Sequence, residues 1–410
     1  MSYWLCVRKR SHGFDKGLRS LAWGETFFGR FPPLFNNFTR KGLTMLVNGL
    51  EIPTYAFEIA LNLLSQLIGV DEKALKRATK AGKDDYLTRL IPKGNGDERE
   101  LDIPNLALRN TQSRLLNGCL YHVEPEHFAD WAVLTGFMRG KSICSNATAH
   151  LDGRAFLQLD FANAFPSVST EMVRDALSSL VDYTTTVKRM FRFKDVRWFW
   201  KWFKESEAGS CHTLENGVAP IDVLWALREI IIMITMFKGR LPQGAPTSPH
   251  LFNLVVASQR IPTIINQALA PFAGSHQFTV TIYADNVTIS TTAEKIPQEA
   301  PRALIEVIET QTPFRINPGK THYTLAKQGS PLITGLSIGH KNGEPFLTVR
   351  QRVQRMARGF FNSVANNPTP KTCLQAHGLA AFFLDVYDGR LPEQIAKPYR
   401  KLLASIRASK

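Results

Sequence analysis

Two apolar runs that each set an aspartate at a strand end constrain this chain more than any other feature. Phe156-Leu-Gln-Leu-Asp160 reads as a buried strand closed by an acid. The run Thr279 to Ser290 reads as a β-hairpin turning at Ala284 to Asn286, which puts Asp285 at its tip. If the two strands are neighbours in one sheet, the carboxylates meet and can hold two divalent cations. In-line phosphoryl transfer needs such a pair, one metal for the attacking hydroxyl and one for the leaving pyrophosphate. Either aspartate alone says little, because Asp at a strand end is commonly a turn former or a cap.

Between them lies Leu241-Pro-Gln-Gly-Ala-Pro-Thr-Ser-Pro249. A Pro- and Gly-rich turn before a helix offers backbone amides and the Gln243 side chain to a flat substrate. It reads equally as a structural loop that opens a helix. Elsewhere the helical period covers 54–81, with Gly82 as its stop, and a helix is expected from about Asn105 to His122. Leu87 to Pro104 suggests two strands around a Gly-Asn-Gly turn. Thr170 to Leu180 and Pro301 to Thr310 read as helices, 313–338 as strands, and 348–408 as mainly helical. Strands and helices mix without a strict βαβα repeat, so the fold class expected is α+β.

Lys and Arg number 50 against 35 Asp and Glu, a net charge of +15. That surplus suits a polyanionic partner, either a nucleic acid or an acidic membrane surface. The most apolar stretch, Ile221 to Phe237, is broken by Asp222, Arg228 and Glu229 and reads as a buried helix rather than a membrane span. The N-terminus, Met1 to Arg10, has no apolar core long enough for a signal peptide. Five scattered cysteines form no CxxC pair, which argues against a zinc ribbon and fits a reducing cytosol.

These residues together resemble the reverse transcriptases. Asp160-Phe-Ala-Asn-Ala-Phe165 is similar to the first catalytic motif of that family, and Leu241 to Pro249 to the second. Tyr283-Ala-Asp-Asn286 resembles the Tyr-x-Asp-Asp box, and Phe314 to Thr321 the motif after it, with Lys320 as its lysine. Asn146-Ala-Thr-Ala-His150 resembles the Asn-Ala-x-x-His signature of the retron enzymes, and Ile333-Thr-Gly-Leu336 their Val-Thr-Gly segment. Gly136 to Ile143 resembles the preceding finger segment of retron and group II intron enzymes. No maturase or endonuclease segment is apparent, which disfavours an intron-encoded protein. The bacterial defence-associated reverse transcriptases are the other close relatives.

The resemblance implies a right-hand polymerase. An N-terminal basic and aromatic extension with helices would span 1–84, the fingers 85–155, the palm 156–345 with an insertion near 183–220, and a helical thumb 346–410. Asp160 and Asp285, helped by the Phe161 carbonyl, would bind two Mg2+ ions, with Mn2+ as an alternative. Phe165 would crowd the ribose 2′ position, and Gln243 with Gly244 would shape the nucleotide pocket. Lys93 and Arg99 would grip the triphosphate, and Lys320 would stand near the leaving pyrophosphate. For Lys93 and Arg99 a solvated hairpin is the plain alternative.

The implied reaction is RNA-templated DNA synthesis from dNTPs in a bacterial cytoplasm, within an antiphage system. A retron-like enzyme would copy its own noncoding RNA from a 2′-hydroxyl primer and hold the RNA–DNA product. An effector or toxin protein, or a second reverse transcriptase, would be its further partner, and no membrane is involved. A defence-associated enzyme would instead make a protein-primed, repetitive or weakly templated product. A third reading is an RNA-binding scaffold with a weakened site.

One residue departs from the family pattern. The box normally ends in two aspartates, and here the second is Asn286, which can offer an oxygen but no charge. Activity is still the favoured expectation, since Asp160, Asp285, Phe165, Gln243 and Lys320 are all present.

The positive surplus is unevenly placed. Residues 1–50 hold eight Lys/Arg against two acids. Lys188 to Lys204 holds seven basic residues and seven aromatics against one acid. Arg192, Lys194, Arg197, Trp198 and Trp200 would contact phosphates and stack on unpaired bases. The same segment also reads as an amphipathic element with its aromatics in the core. Arg352, Arg355 and Arg358 recur at spacing three and would track a duplex backbone from one helix face, as Asn146 and His150 would contact nucleic acid.

Overall fold

The computed structural model describes residues 44–92, 98–122, 131–178, 199, 201, 218–274 and 276–408. Residues 1–43, Lys93, Arg192, Lys194, Arg197, Trp198 and Trp200 lie outside the described residues, so the expectations placed on them are not addressed by the structure.

The chain begins with a hairpin, β1 Thr44–Val47 and β2 Leu50–Pro53, and a helix, α1 Thr54–Ile68. The single helix expected over 54–81 is two. Gly69 takes the left-handed conformation (φ +63°) and caps α1, and α2 restarts at Glu72–Ala78 under an Asp71 N-cap. Gly69 and Asp71 are a stop and a start signal that the apolar period masked.

Strands β3 Tyr86–Pro92 and β4 Glu98–Pro104 pair antiparallel, from Tyr86 opposite Pro104 to Pro92 opposite Glu98. Asn105 then caps α3, Leu106–Gly118, by accepting from the Leu108 N–H. The helix stops four residues short of His122, and Leu120–His122 forms a separate 3-10 turn. A short helix, α4 Ile143–Thr148, opens under Ser142.

The central sheet is antiparallel: β5 Ala155–Asp160, β6 Phe278–Tyr283, β7 Asn286–Thr291 and β8 His322–Leu325, in the order β6-β7-β5-β8. The helices between its strands include α5 Thr170–Leu177, α6 Pro220–Thr235, α7 Ser248–Ser258, α8 Ile261–Leu269 and α9 Glu299–Gln311; α8 packs against β6, and α6 packs against α1. The apolar stretch suspected to be a buried helix is α6. No helix among the described residues is long and apolar enough to cross a membrane.

A second sheet, β9 Leu332–Ile333, β10 Leu336–Lys341 and β11 Glu344–Val349, packs with the last three helices, α10 Gln351–Asn366, α11 Pro370–Val386 and α12 Glu393–Ala408. Their shared core, with Ile338, Phe361, Phe383 and Leu402, also takes in Ala147 of α4 and Phe156 of β5. The α+β class expected from the sequence is what the chain adopts.

Glu229 of α6 is fully buried, yet it is well partnered. It accepts from Arg174 Nε of α5 (3.0 Å), Arg228 Nε (3.0 Å) and Asn48 Nδ2 of the first hairpin (2.9 Å). The hairpin, α5 and α6 are tied at this one carboxylate.

Two histidines are buried and uncharged. Burial pushes His150 down to about 4, and it pushes His250 down to about 4 against the opposing hydrogen bond to the Leu120 carbonyl. In the unfolded chain both rings take up protons below about pH 6.5. The unfolded state then binds more protons, so stability is complete above about pH 6.5 and falls as pH drops toward about 4. A loss on the order of a few kcal/mol over that window is expected in thermal melts recorded from pH 7 to 4. A flat profile there would contradict the neutral burial of both rings.

Candidate active site

Register explains why the two acids meet. Asp160, the last residue of β5, lies opposite Asn286, the first of β7. Asp285 stands just before it in the two-residue turn that joins β6 to β7, where Tyr283 pairs with Asn286. The turn is therefore Ala284-Asp285, and Asn286 belongs to the strand. One further bond closes the seam, as the Phe161 N–H donates to the Asp285 backbone oxygen at 2.8 Å.

Behind the acids sits an aromatic core. Phe161, Phe252 and Phe314 are buried, with ring centroids 5.2 to 6.4 Å apart. The Phe161 side chain is thus committed to packing, and only its backbone faces the site.

Asp160, Asp285, Arg99, Gln243 and Lys320 all line one cleft of about 950 Å³ between β4, β5 and the loop before α7. Lys320 donates from Nζ to both Asp160 oxygens at 3.0 Å. Burial, and then the neighbouring Asp160 carboxylate, push the Asp285 carboxyl above its ordinary range, while Lys320 and Arg99 pull it back. The Asn286 amide donates to Asp285 Oδ1 at 3.0 Å. An acceptor-only carboxylate fixes which end of that amide faces it.

Two crowded carboxylates in a half-enclosed cleft form a hard oxygen donor set that favours a cation, and this fits Mg2+ or Mn2+. Among the described residues no cluster of three or more His, Cys, Asp or Glu ligands occurs.

Other expected site residues are placed differently. The cleft is lined by Ala164 and Pro166, whereas Phe165 is half-buried with its ring 5.3 Å from that of Phe252. Gly244 is exposed at φ +114°, and a Cβ there would stand 3.2 Å from the Asp102 carbonyl of β4. Its lack of a side chain lets the loop pass the hairpin strand. Arg352 and Arg355 are exposed on α10, and Arg358 is half-buried.

Asn146 and His150 require a correction. Both are buried at 0% and 1% exposure, so neither side chain contacts nucleic acid. Asn146 Oδ1 accepts from the Thr135 hydroxyl (2.6 Å), and its Nδ2 donates to Thr334 Oγ1 (3.3 Å). His150 sits between Ser290 Oγ (2.7 Å) and Thr281 Oγ1 (2.8 Å). Polar groups removed from water need such partners, which is why these residues look functional in sequence while lying inside.

Arg240 is among the cleft residues that the sequence reading missed. It pairs with Glu100 of β4 at 2.9 Å, where Lys238 joins at 2.8 Å. The signal lay in two cations directly before Leu241.

The comparisons agree with this geometry. A family model described as "Reverse transcriptase (RNA-dependent DNA polymerase)" matches residues 91–354, more than half of the chain. The retron Mx162 reverse transcriptase of Myxococcus xanthus is 27% identical, over 72% of this chain and 57% of that protein. The retron Mx65 reverse transcriptase of the same organism is 28% identical, over 62% and 51%. The retron Ec86 reverse transcriptase of Escherichia coli is 23% identical, over 62% and 64%. The chain spans about half the length of the two Myxococcus relatives. With the matched segment enclosing both aspartates, the cleft and Lys320, this chain belongs to the reverse transcriptase family.

Proposed function

We propose that this chain is an RNA-directed DNA polymerase that copies a noncoding RNA into DNA in a retron-like antiphage system. The observation that carries the reading is the meeting of Asp160 and Asp285 at one cleft, beside Lys320, Arg99 and Gln243. Asp160 and Asp285, with the Phe161 carbonyl, would hold two divalent cations. Such cations supply charge stabilisation and an activated 3′- or 2′-hydroxyl when bound.

The chain's own residues do the rest. Arg99 stands at the mouth of the cleft as a cation for the triphosphate. Gln243 presents a polar edge to the incoming nucleotide. Lys320, which donates to both Asp160 oxygens, would be the cation beside the leaving pyrophosphate and its proton donor. The three arginines of α10 would follow the backbone of the RNA–DNA duplex.

The test has two parts. Purified protein should incorporate dNTPs on an RNA template only when Mg2+ or Mn2+ is added. Sequencing of the copurified nucleic acid should yield a branched RNA–DNA molecule. RNA without DNA, and no incorporation with either metal, would leave only a binding role.

Asn286→Asp probes the departure from the family box. It adds a third acid for cations but removes the amide that steadies Asp285. Primer extension is expected to be preserved or raised, with a lower Mg2+ concentration at half-maximal rate. A variant that needs more Mg2+ would show that the amide, and not the missing charge, governs the site.

A further inference from the structure

The turn that carries Asp285 is strained. Ala284 adopts φ +54°, a left-handed conformation that costs a non-glycine residue free energy. Such a residue persists only where its surroundings over-determine it.

Those surroundings are specific. Residues 134–136 run beneath the turn, with Leu134 bridging Ile282 in parallel and the Thr135 N–H donating to the Ile282 carbonyl at 2.9 Å. Gly136 passes so close that a Cβ would stand 2.5 Å from the Ala284 nitrogen. Its carbonyl accepts from Asn253 Nδ2 of α7 at 2.6 Å. Thr135, Asn146 and Asn253 are all buried.

The chain of bonds continues to two distant segments. Thr135 donates its hydroxyl proton to Asn146, Asn146 donates to Thr334, and Thr334 donates to the Ile143 carbonyl at 3.2 Å. Thr334 is itself left-handed (φ +48°), unusual for a β-branched residue, in the two-residue turn between β9 and β10. His150 joins Thr281 of β6 to Ser290 of β7 and so clamps the same hairpin lower down. The two short segments around Asn146 and Thr334, 188 residues apart, thus meet through two hydrogen bonds.

We propose that Thr135, Asn146, His150 and Thr334 are positioning residues: a buried polar strut that fixes the Asp285 turn at its reacting height. They act through Ile282 and the hairpin strands and touch neither substrate nor template. The sheet alone fixes the register of β7 but not the strained turn above it. A buried hydroxyl-to-amide chain does so, and the Thr135 hydroxyl also stands 3.2 Å from the Ile282 carbonyl of the same hairpin.

The inference rests on the polymerase reading, and the experiment separates the two. Thr135→Val keeps the shape and deletes the hydroxyl, whereas Thr135→Ser restores it. Single-nucleotide addition is measured on a generic RNA template with a DNA primer, along with the dNTP KM, binding of the duplex and of copurified RNA, and the melting temperature. Thr135→Val is expected to slow the addition step at least tenfold, with KM and both binding constants within twofold. Thr135→Ser should recover most of the rate.

Thr334→Gly removes the far hydroxyl while relieving its backbone, and it should lower the rate in the same way should Thr135→Val not fold. An unchanged rate in the folded variant overturns the strut. So does a loss of RNA affinity at an unchanged rate, which would return these residues to RNA contact. Failure of the unsubstituted protein to extend any primer refutes the polymerase reading instead.

Discussion

Asp285→Ala is expected to abolish metal-dependent primer extension, by at least about 1,000-fold, or roughly 4 kcal/mol of barrier. The size follows from the arrangement. Asp160 and Asp285 are the carboxylates that β5 and the β6–β7 turn bring together; of the acids of β4 that also line the cleft, Glu100 and Asp102 are paired with Lys238 and Arg240, and Asn286 brings no charge to replace either aspartate. Removing one leaves a single acid already paired with Lys320. Asp285→Asn keeps the size of the side chain and the turn and should fail almost as badly, which separates loss of charge from loss of shape. Melting temperature and RNA binding should stay near those of the parent in both variants. Extension that survives Asp285→Ala would sink the two-carboxylate mechanism.

The second large effect concerns folding. Glu229→Ala is expected to destabilise the protein by about 3–5 kcal/mol, as for other buried ion pairs cut on one side. Arg174 and Arg228 keep only a small part of their side chains exposed, and both point at the lost carboxylate. They would be left as two neighbouring buried cations. Asn48 would keep only the long bond to the residue 229 backbone oxygen (3.5 Å), loosening the first hairpin from α6. Glu229→Gln retains the shape and one acceptor and should cost less. Denaturant unfolding followed by circular dichroism measures both. A cost under about 1 kcal/mol for Glu229→Ala would mean that the network closes without its acid.

The site was largely legible because its parts are local. An acid at the end of an apolar run, a turn-borne acid between two strands and a Pro-Gly loop before a helix can each be read within ten residues. Their convergence was an expectation that only the resemblance to the reverse transcriptases implied; the pairing of β5 with β7 is what places the two acids together. The division of 54–78 into two helices was not, because Gly69 and Asp71 interrupt a pattern whose apolar period continues through them.

Asn146 and His150 misled for a different reason. A polar signature in sequence has no inside or outside. The pairing of Asn146 with Thr135 and Thr334, and of His150 with Thr281 and Ser290, joins positions up to 188 residues apart. Glu229 was visible only as a flaw in an apolar helix, with nothing nearby to name Arg174 or Asn48 as its partners.

The sequence by itself determined the α+β class and the strand ends that carry Asp160 and Asp285. These depend on residue type and on periods of two and 3.6. The tertiary structure alone decided which polar residues face the cleft and which lie beneath it. Burial depends on which segments meet, and hydrogen bonds over such distances leave no period to read. The result is a two-acid centre mounted on a strained turn, with the polar signature below it rather than beside it.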